Sequence, residues 1–313
     1  MIDYQNIRKV HLEISTRCNA ACPDCPRNFR GVDVIDNYPI LDMKLEQAKK
    51  IFTVPFLQQL NRILINGNYG DFVTASDGVK IVEYFLESNP GLNIEISTNA
   101  SARPNIWKRL GELGVTVDFR LDGLKDTHHL YRQNTDWDFV IENAKKFISA
   151  GGKATWAMII FDHNRHQINA CRQLSKDLGF TNFWTLDVGR NTMPVFTTDR
   201  RLSHTIGDYQ GSVDFDELLQ RHKSMNSNIS VIEQPVNCYA VNNKEIYVSA
   251  TGDVYPCCWM GFYPETNKRR SGNHQIAAIK HNAIEHSIEK AIEWFNTIEK
   301  EKMYICTETC GTK

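Results

Sequence analysis

The stretch His11-Leu-Glu-Ile-Ser15-Thr-Arg-Cys18-Asn-Ala-Ala-Cys22-Pro-Asp-Cys25 runs from a β-like segment straight into three thiols. Polar His11, Glu13 and Ser15 alternate with apolar Leu12 and Ile14, the period-two signature of a strand. Three thiolates so close in sequence can wrap one metal centre. A four-iron, four-sulfur cluster has four iron corners, so three cysteines leave one corner open. An open iron can take an exogenous chelating ligand, by the logic that makes an open zinc site catalytic. A closed zinc site instead wants four protein ligands, usually as two paired motifs. Here the fourth would have to come from His11 or from the distant tail.

Working outward, short β-like runs alternate with amphipathic stretches. Strands are predicted at His11–Ser15, Ile63–Asn66, Asn93–Ser97, Val115–Leu121, Ala154–Phe161 and Asn182–Val188. Helices are predicted at Val79–Glu87, Ile106–Leu113, Phe139–Ala150 and Gln167–Leu178, with Gly114, Gly151 and Gly179 as C-terminal caps. A further helix, Lys44–Leu60, contains Pro55 and should kink or break there. Such alternation implies an α/β chain of right-handed βαβ units with a parallel sheet, open or closed into a barrel. A parallel sheet buried on both faces normally reads as continuous aliphatic. These strands alternate instead: Val115, Val117, Phe119 and Leu121 share one face, and Thr116, Asp118, Arg120 and Asp122 the other. A polar barrel interior suits a charged ligand better than filled aliphatic layers do.

The rest of the chain bounds the function. In 313 residues, 36 basic and 37 acidic side chains leave a formal charge of −1, which argues against a general nucleic-acid or anionic-membrane binder. No apolar run approaches the roughly 18 residues of a spanning helix. The N-terminus lacks the apolar core of a signal peptide, so a reducing cytoplasm is expected. Reduced cysteines that cluster in such a compartment usually hold metal. Of nine cysteines, Cys18, Cys22 and Cys25 cluster at one end, and Cys238, Cys257, Cys258, Cys306 and Cys310 at the other. Cys171 stands alone in a helical stretch and reads as a small buried hydrophobe. Residues 190–236 read as a polar connector with a short helix near Phe215–His222. A hairpin is expected from Lys244–Ser249 and Asp253–Tyr255 around Thr251-Gly252, then a helix from about His286 to Lys302 and a short tail.

Three cysteines spaced by three and two residues after the first strand resemble the signature of the radical S-adenosylmethionine (SAM) enzymes. The resemblance implies a partial (β/α)6 barrel over residues 1–190, matching the six alternations. It also implies a catalytic 4Fe-4S cluster on Cys18, Cys22 and Cys25. In that family the open iron binds the amino and carboxylate groups of S-adenosylmethionine. Reductive cleavage gives a 5′-deoxyadenosyl radical that abstracts a substrate hydrogen. The residue before the third cysteine is commonly aromatic and helps hold adenine. Here it is Asp24, with Phe29 or Tyr69 as substitutes. Tyr69-Gly70-Asp71 resembles the Gly-Gly-Glu segment that receives the methionine ammonium. Ser97-Thr98-Asn99 resembles the segment near the ribose or carboxylate. Arg120-Leu121-Asp122-Gly123 resembles Ser-Leu-Asp-Gly, its arginine departing from the pattern. Each alone reads as turn chemistry; together, at the carboxyl ends of successive strands, they favour the cofactor. Met158–Asn164 shows no counterpart of the family's adenine motif.

The second cysteine group, set in a hairpin-then-helix context over residues 237–313, resembles the Twitch unit. That is the shortened form of the SPASM extension, which would hold an auxiliary 4Fe-4S cluster on Cys238, Cys257, Cys306 and Cys310. Gly252 spacing favours Cys257, with Cys258 the spare thiol able to exchange roles with it. A closed cluster suits electron relay, hence net oxidation of the substrate, with flavodoxin or ferredoxin as a reductant. A redox-neutral mutase or epimerase is the alternative within the family, and a zinc-stabilised binding protein the alternative outside it. With strand one reached within about ten residues, no leader-binding domain fits before it, which tilts the substrate toward a small molecule or a discrete protein site. Among other residues, His128 and His129 read as solvated loop and Lys268-Arg269-Arg270 as a solvated basic run. Trp156, Trp184 and Trp259 read as core, and Asp187 as a ligand contact or a helix cap.

Overall fold

The computed structural model describes residues 2–33, 39–102, 105–187, 189, 192–224, 233–261, 282–297, 299, 301 and 303–311. In chain order the strands are β1 (Lys9–Leu12), β2 (Asn28–Phe29), β3 (Val32–Asp33), β4 (Arg62–Ile65), β5 (Asn93–Thr98) and β6 (Thr116–Arg120). They continue as β7 (Lys153–Ile160), β8 (Asn182–Asp187), β9 (Met193–Phe196), β10 (Leu202–Ile206), β11 (Glu245–Val248) and β12 (Val254–Tyr255). The helices are α1 (Leu45–Ile51), α2 (Val54–Gln59), α3 (Gly78–Ser88), α4 (Trp107–Glu112), α5 (Lys125–Tyr131) and α6 (Trp137–Ser149). They continue as α7 (Ile168–Asp177), α8 (Phe215–Ser224), α9 (Tyr239–Asn243), α10 (Ile288–Phe295) and α11 (Tyr304–Cys310).

One sheet orders its strands β12-β11-β1-β4-β5-β6-β7-β8. The six expected strands are all present and parallel to their neighbours. The fold is the α/β partial barrel, and the described sheet does not close. The strand alternation sorts the two faces. Ile63, Ile65, Ile94, Ile96, Val117 and Phe119 are buried in the main core, with Ile81, Phe85, Leu110 and Phe147 from the surrounding helices. The other face is polar and internally bonded. Arg62 Nε donates to Glu95 at 2.9 Å, and Arg120 Nε to Ser97 Oγ at 2.7 Å. The long helix does break near its proline: α1 ends at Ile51, and Pro55 lies in the first turn of α2, where its missing N–H costs no hydrogen bond.

Three differences from the expectation have local causes. Residues 190–236 are not only a connector, because β9 and β10 pair as an antiparallel hairpin. Pro194 masks that strand in the sequence, yet the hairpin buries Met193, Val195, Phe196 and Ile206. The last long helix is shorter than expected. α10 ends at Phe295, where Asn296 N turns back to Glu293 O at 3.3 Å, and the Asn296 side chain accepts from Ile2 N and donates to Ile2 O, both at 3.1 Å. The expected tail is helix α11, which places Cys306 and Cys310 one turn apart. The expected hairpin is β11–β12, and its first strand joins the main sheet beside β1. Lys268-Arg269-Arg270 and Val188 lie outside the described residues. Among the described residues no helix is long and apolar enough to cross a membrane.

Candidate active site

The loop after β1 is held by backbone contacts before any cysteine is reached. Glu13 N donates to Val248 O at 2.9 Å, and Thr16 N to Leu41 O at 3.0 Å. Cys22 is buried, and Cys18 and Cys25 pack on the same apolar cluster of Ala20, Tyr131, Phe161, Met193, Val195 and Ile206. The hairpin β9–β10 and the end of β7 therefore wall this loop. Burial raises all three thiols, Cys25 to about 12; Asp71 adds to the rise at Cys18, and Arg132 opposes it at Cys22. Two nitrogens reach the sulfurs: Asn99 Nδ2 donates to Cys18 Sγ at 3.6 Å, and the Arg132 guanidinium to Cys22 Sγ at 3.8 Å. Among the described residues, no group of three or more His, Cys, Asp or Glu side chains is already arranged as metal ligands. The donor set fits iron: three thiols share one water-poor cluster, with donors to support them as thiolates once a cation compensates their charge.

Of the expected cofactor-binding residues, Tyr69, Gly70, Asp71, Asn99 and Asp122 are tied to this loop or to the side chains that reach its sulfurs, whereas Ser97 and Arg120 bond each other. Asp71 is buried, and its carboxylate accepts from Thr98 Oγ1 at 2.5 Å, Asn99 N at 2.8 Å and Val73 N at 3.1 Å. It thus pins the segment after β5 to the segment after β4; burial pushes its carboxyl up against these donors. Gly70 is needed for close approach, since a Cβ there would stand 2.0 Å from Ser15 O. Tyr69 is buried, and both Tyr69 N and Gly70 N donate to Glu13. Asp122 is fully buried and accepts from Ile159 N and from Arg132 Nε, each at 2.6 Å. Ser97 and Arg120 meet through the 2.7 Å bond, and the Arg120 guanidinium lies 5.0 Å from the Trp184 ring centre.

His128 is not in solvated loop: α5 begins at Lys125, which puts His128 on the helix's buried face. It accepts from Asp122 N at 3.1 Å, meets Thr135 Oγ1 at 3.0 Å, and is held to about 4 by burial. His129 is exposed, as expected. Phe29 does not face the thiol loop; it packs on Phe215 and His222 of α8 at 5.8 and 5.0 Å. Asp187 is exposed and pairs with Arg165 at 3.0 Å. Trp156 and Cys171 are fully buried, whereas Trp259 is 42% exposed. In the Met158–Asn164 segment, Asn164 clamps the turn by bonding Phe161 N, Ile159 O and Asp122 O. The sequence reading missed Glu13 and Arg132 as site residues. Glu13 carried a signal, a carboxylate inside a strand; Arg132 sits in a polar run with nothing to single it out.

The C-terminal thiols gather differently. Cys238, Cys257, Cys306 and Cys310 line one pocket with Tyr239 and Met260. The helix α11 is closed onto the chain before α9 by Asn237 N to Cys310 O and Gln234 Nε2 to Thr307 O, both 2.9 Å. Burial, then Cys258, Cys306 and Cys238, pushes the Cys257 thiol up. Cys258 Sγ lies 3.5 Å from Tyr239 Oη, and its carbonyl accepts from Asn68 Nδ2 at 3.0 Å.

Against known proteins, the described fold aligns with Streptococcus suis SuiB bound to S-adenosylmethionine, at TM-score 0.60 and 15% identity, covering 91% of this chain and 65% of that one. It also aligns with SuiB bound to its precursor peptide SuiA, at TM-score 0.60 and 12% identity, covering 96% and 71%. Native anSMEcpe with bound AdoMet aligns at TM-score 0.56 and 17% identity, covering 94% and 84%. The chain therefore spans about two thirds of the length of the first of these proteins. No curated protein sequence matches it. Residues 12–173 match the profile of the Radical SAM superfamily. That match spans more than half of the chain, which belongs to the radical SAM superfamily.

Proposed function

We propose that the protein binds S-adenosylmethionine at a 4Fe-4S cluster on Cys18, Cys22 and Cys25 and oxidises a peptide or protein side chain. When bound, the cluster and cofactor would supply the reductive cleavage that yields a hydrogen-abstracting radical. The chain's own residues do the positioning. Asn99 and Arg132 support the sulfurs, Asp71 and Glu13 hold the loop for the methionine end, and Ser97, Arg120 and Asp122 stand at the strand ends. The apolar wall of Tyr131, Phe161, Met193, Val195 and Ile206 excludes water from the thiol loop. The observation that carries the reading is the pair of donors on Cys18 and Cys22, each tied to one of the buried carboxylates of Asp71 and Asp122.

A second cluster on Cys238, Cys257, Cys306 and Cys310 is supported by the one pocket those four thiols share. A Twitch-type unit over residues 237–313, after a connector at 191–236, accommodates it. A closed site of that kind suits an electron relay, which favours net oxidation over a redox-neutral rearrangement. The SuiB complex with its precursor peptide supports a peptide substrate over a small molecule. Cysteines clustered in two groups suit a reducing cytoplasm and a flavodoxin- or ferredoxin-like reductant. The test is iron, acid-labile sulfide and zinc per chain after anaerobic reconstitution, with dithionite-driven release of 5′-deoxyadenosine from S-adenosylmethionine. About eight irons with matching sulfide and release of the nucleoside are expected. Zinc without iron would move a zinc-stabilised binding protein to the front.

A further inference from the structure

Tyr247 belongs to two environments. Its ring is buried in the apolar cluster of Tyr255, Met260, Met303 and Ile305, on which Cys257, Cys258 and Cys306 also pack. Its hydroxyl crosses from β11 to the neighbouring strand region and donates to Glu13 Oε2 at 2.9 Å. Glu13 is fully buried, and its other oxygen accepts from Tyr69 N at 2.7 Å and Gly70 N at 3.1 Å. A second tie runs alongside, from Asn68 Nδ2 to Cys258 O. Loop 66–71 has little slack between these ties: a Cβ on Gly67 would stand 2.2 Å from Gly70 O and 2.9 Å from Glu13 Oε1. One buried carboxylate thus joins the loop beside the first thiol site to a side chain embedded beside the second.

We propose that Tyr247, acting through Glu13, is a positioning residue that couples the C-terminal thiol pocket to loop 66–71. The cofactor half of this rests on the assignment of that loop to S-adenosylmethionine. The physical basis is rigidity. A hydroxyl on a packed ring cannot follow the carboxyl group if the loop moves, and a buried carboxyl oxygen stripped of its donor is left unsatisfied where water cannot replace it. Such coupling is reciprocal, so cofactor binding must also order the tyrosine's surroundings.

Tyr247→Phe keeps the ring and removes only the O–H. Two readouts are taken on the full, anaerobically reconstituted chain: the S-adenosylmethionine dissociation constant by equilibrium dialysis, and amide hydrogen exchange resolved by peptide. The expected result is roughly tenfold weaker binding, as for one buried acceptor left without its donor. Faster exchange should be confined to peptides covering 66–71, and adding Tyr247→Phe to Glu13→Gln should weaken binding no further. Unchanged exchange in that loop, or faster exchange spread over the whole sheet, overturns the coupling. If the wild type binds no S-adenosylmethionine, the functional reading fails, while exchange in the loop still decides whether Tyr247 positions it.

Discussion

The two thiol sites share apolar walls and differ in the polar groups that reach their sulfurs. The N-terminal loop adds polar partners to its apolar wall: Asn99 joins Cys18 to Asp71, and Arg132 joins Cys22 to Asp122. The C-terminal pocket is apolar, with Tyr239, Met260, Trp259 and Ile305 between its four cysteines. A three-thiol site with charged and amide donors around it is suited to a polar ligand at an open position. A four-thiol site in an apolar cup leaves nothing open and suits electron storage. The sharpest way to break this contrast is to remove one sulfur from each. Cys22→Ala should abolish S-adenosylmethionine cleavage. Cys306→Ala should spare cleavage and impair only substrate turnover. Equal loss of cleavage in both variants, in an assay of 5′-deoxyadenosine without substrate, would erase the division of labour.

The next largest effect concerns the charged network itself. Asp122 and Arg132 form an ion pair that is almost wholly out of water, with side-chain exposures of 0% and 13%. Removing one partner of a buried pair typically costs about 3–5 kcal/mol, because the other charge is left uncompensated. Asp122→Ala should show a loss of that order by chemical denaturation. The exposed pair Arg165–Asp187 has a similar bond length, 3.0 Å, but nearly half of each side chain is in solvent. Asp187→Ala should cost under about 1 kcal/mol. Similar losses in the two variants would show that burial is not what distinguishes them.

The same contrast explains what the sequence disclosed. The barrel was legible because its strands alternate: Val115, Val117, Phe119 and Leu121 had to face helices, and their neighbours had to face something polar. The thiol positions were legible from spacing alone. Partners that act through tertiary contact were not. Arg132 lies 110 residues from Cys22. Glu13 and Tyr247 are separated by 234 residues, and no periodicity links them. The hairpin β9–β10 was hidden by Pro194, and the burial of His128 by the early start of α5. Motifs on one strand end announce themselves; a network closed by long-range contacts appears only once the strands are side by side.

The last effect is a titration, and it concerns a single carboxyl group beside the first site. Four donors, from Tyr69 N, Tyr247 Oη, Gly70 N and Asn68 N, favour an ionised Glu13, yet burial outweighs them and raises its carboxyl to about 7. The folded state therefore binds a proton that the unfolded chain has already released. The stability this contributes is fully present below the unfolded carboxyl's ordinary range near 4.5 and is lost as pH rises through about 7. Glu13→Gln cannot titrate. The stability advantage of wild type over that variant should thus shrink steadily between about pH 5 and pH 8. Neighbouring His11 is held to about 4 by burial, so it stays neutral over this range and does not confound the comparison. Paired denaturant midpoints at each pH give the answer. A gap that stays constant, or widens with pH, would mean that the donors and not the burial govern this carboxylate, and that Glu13 anchors loop 66–71 as a permanent anion.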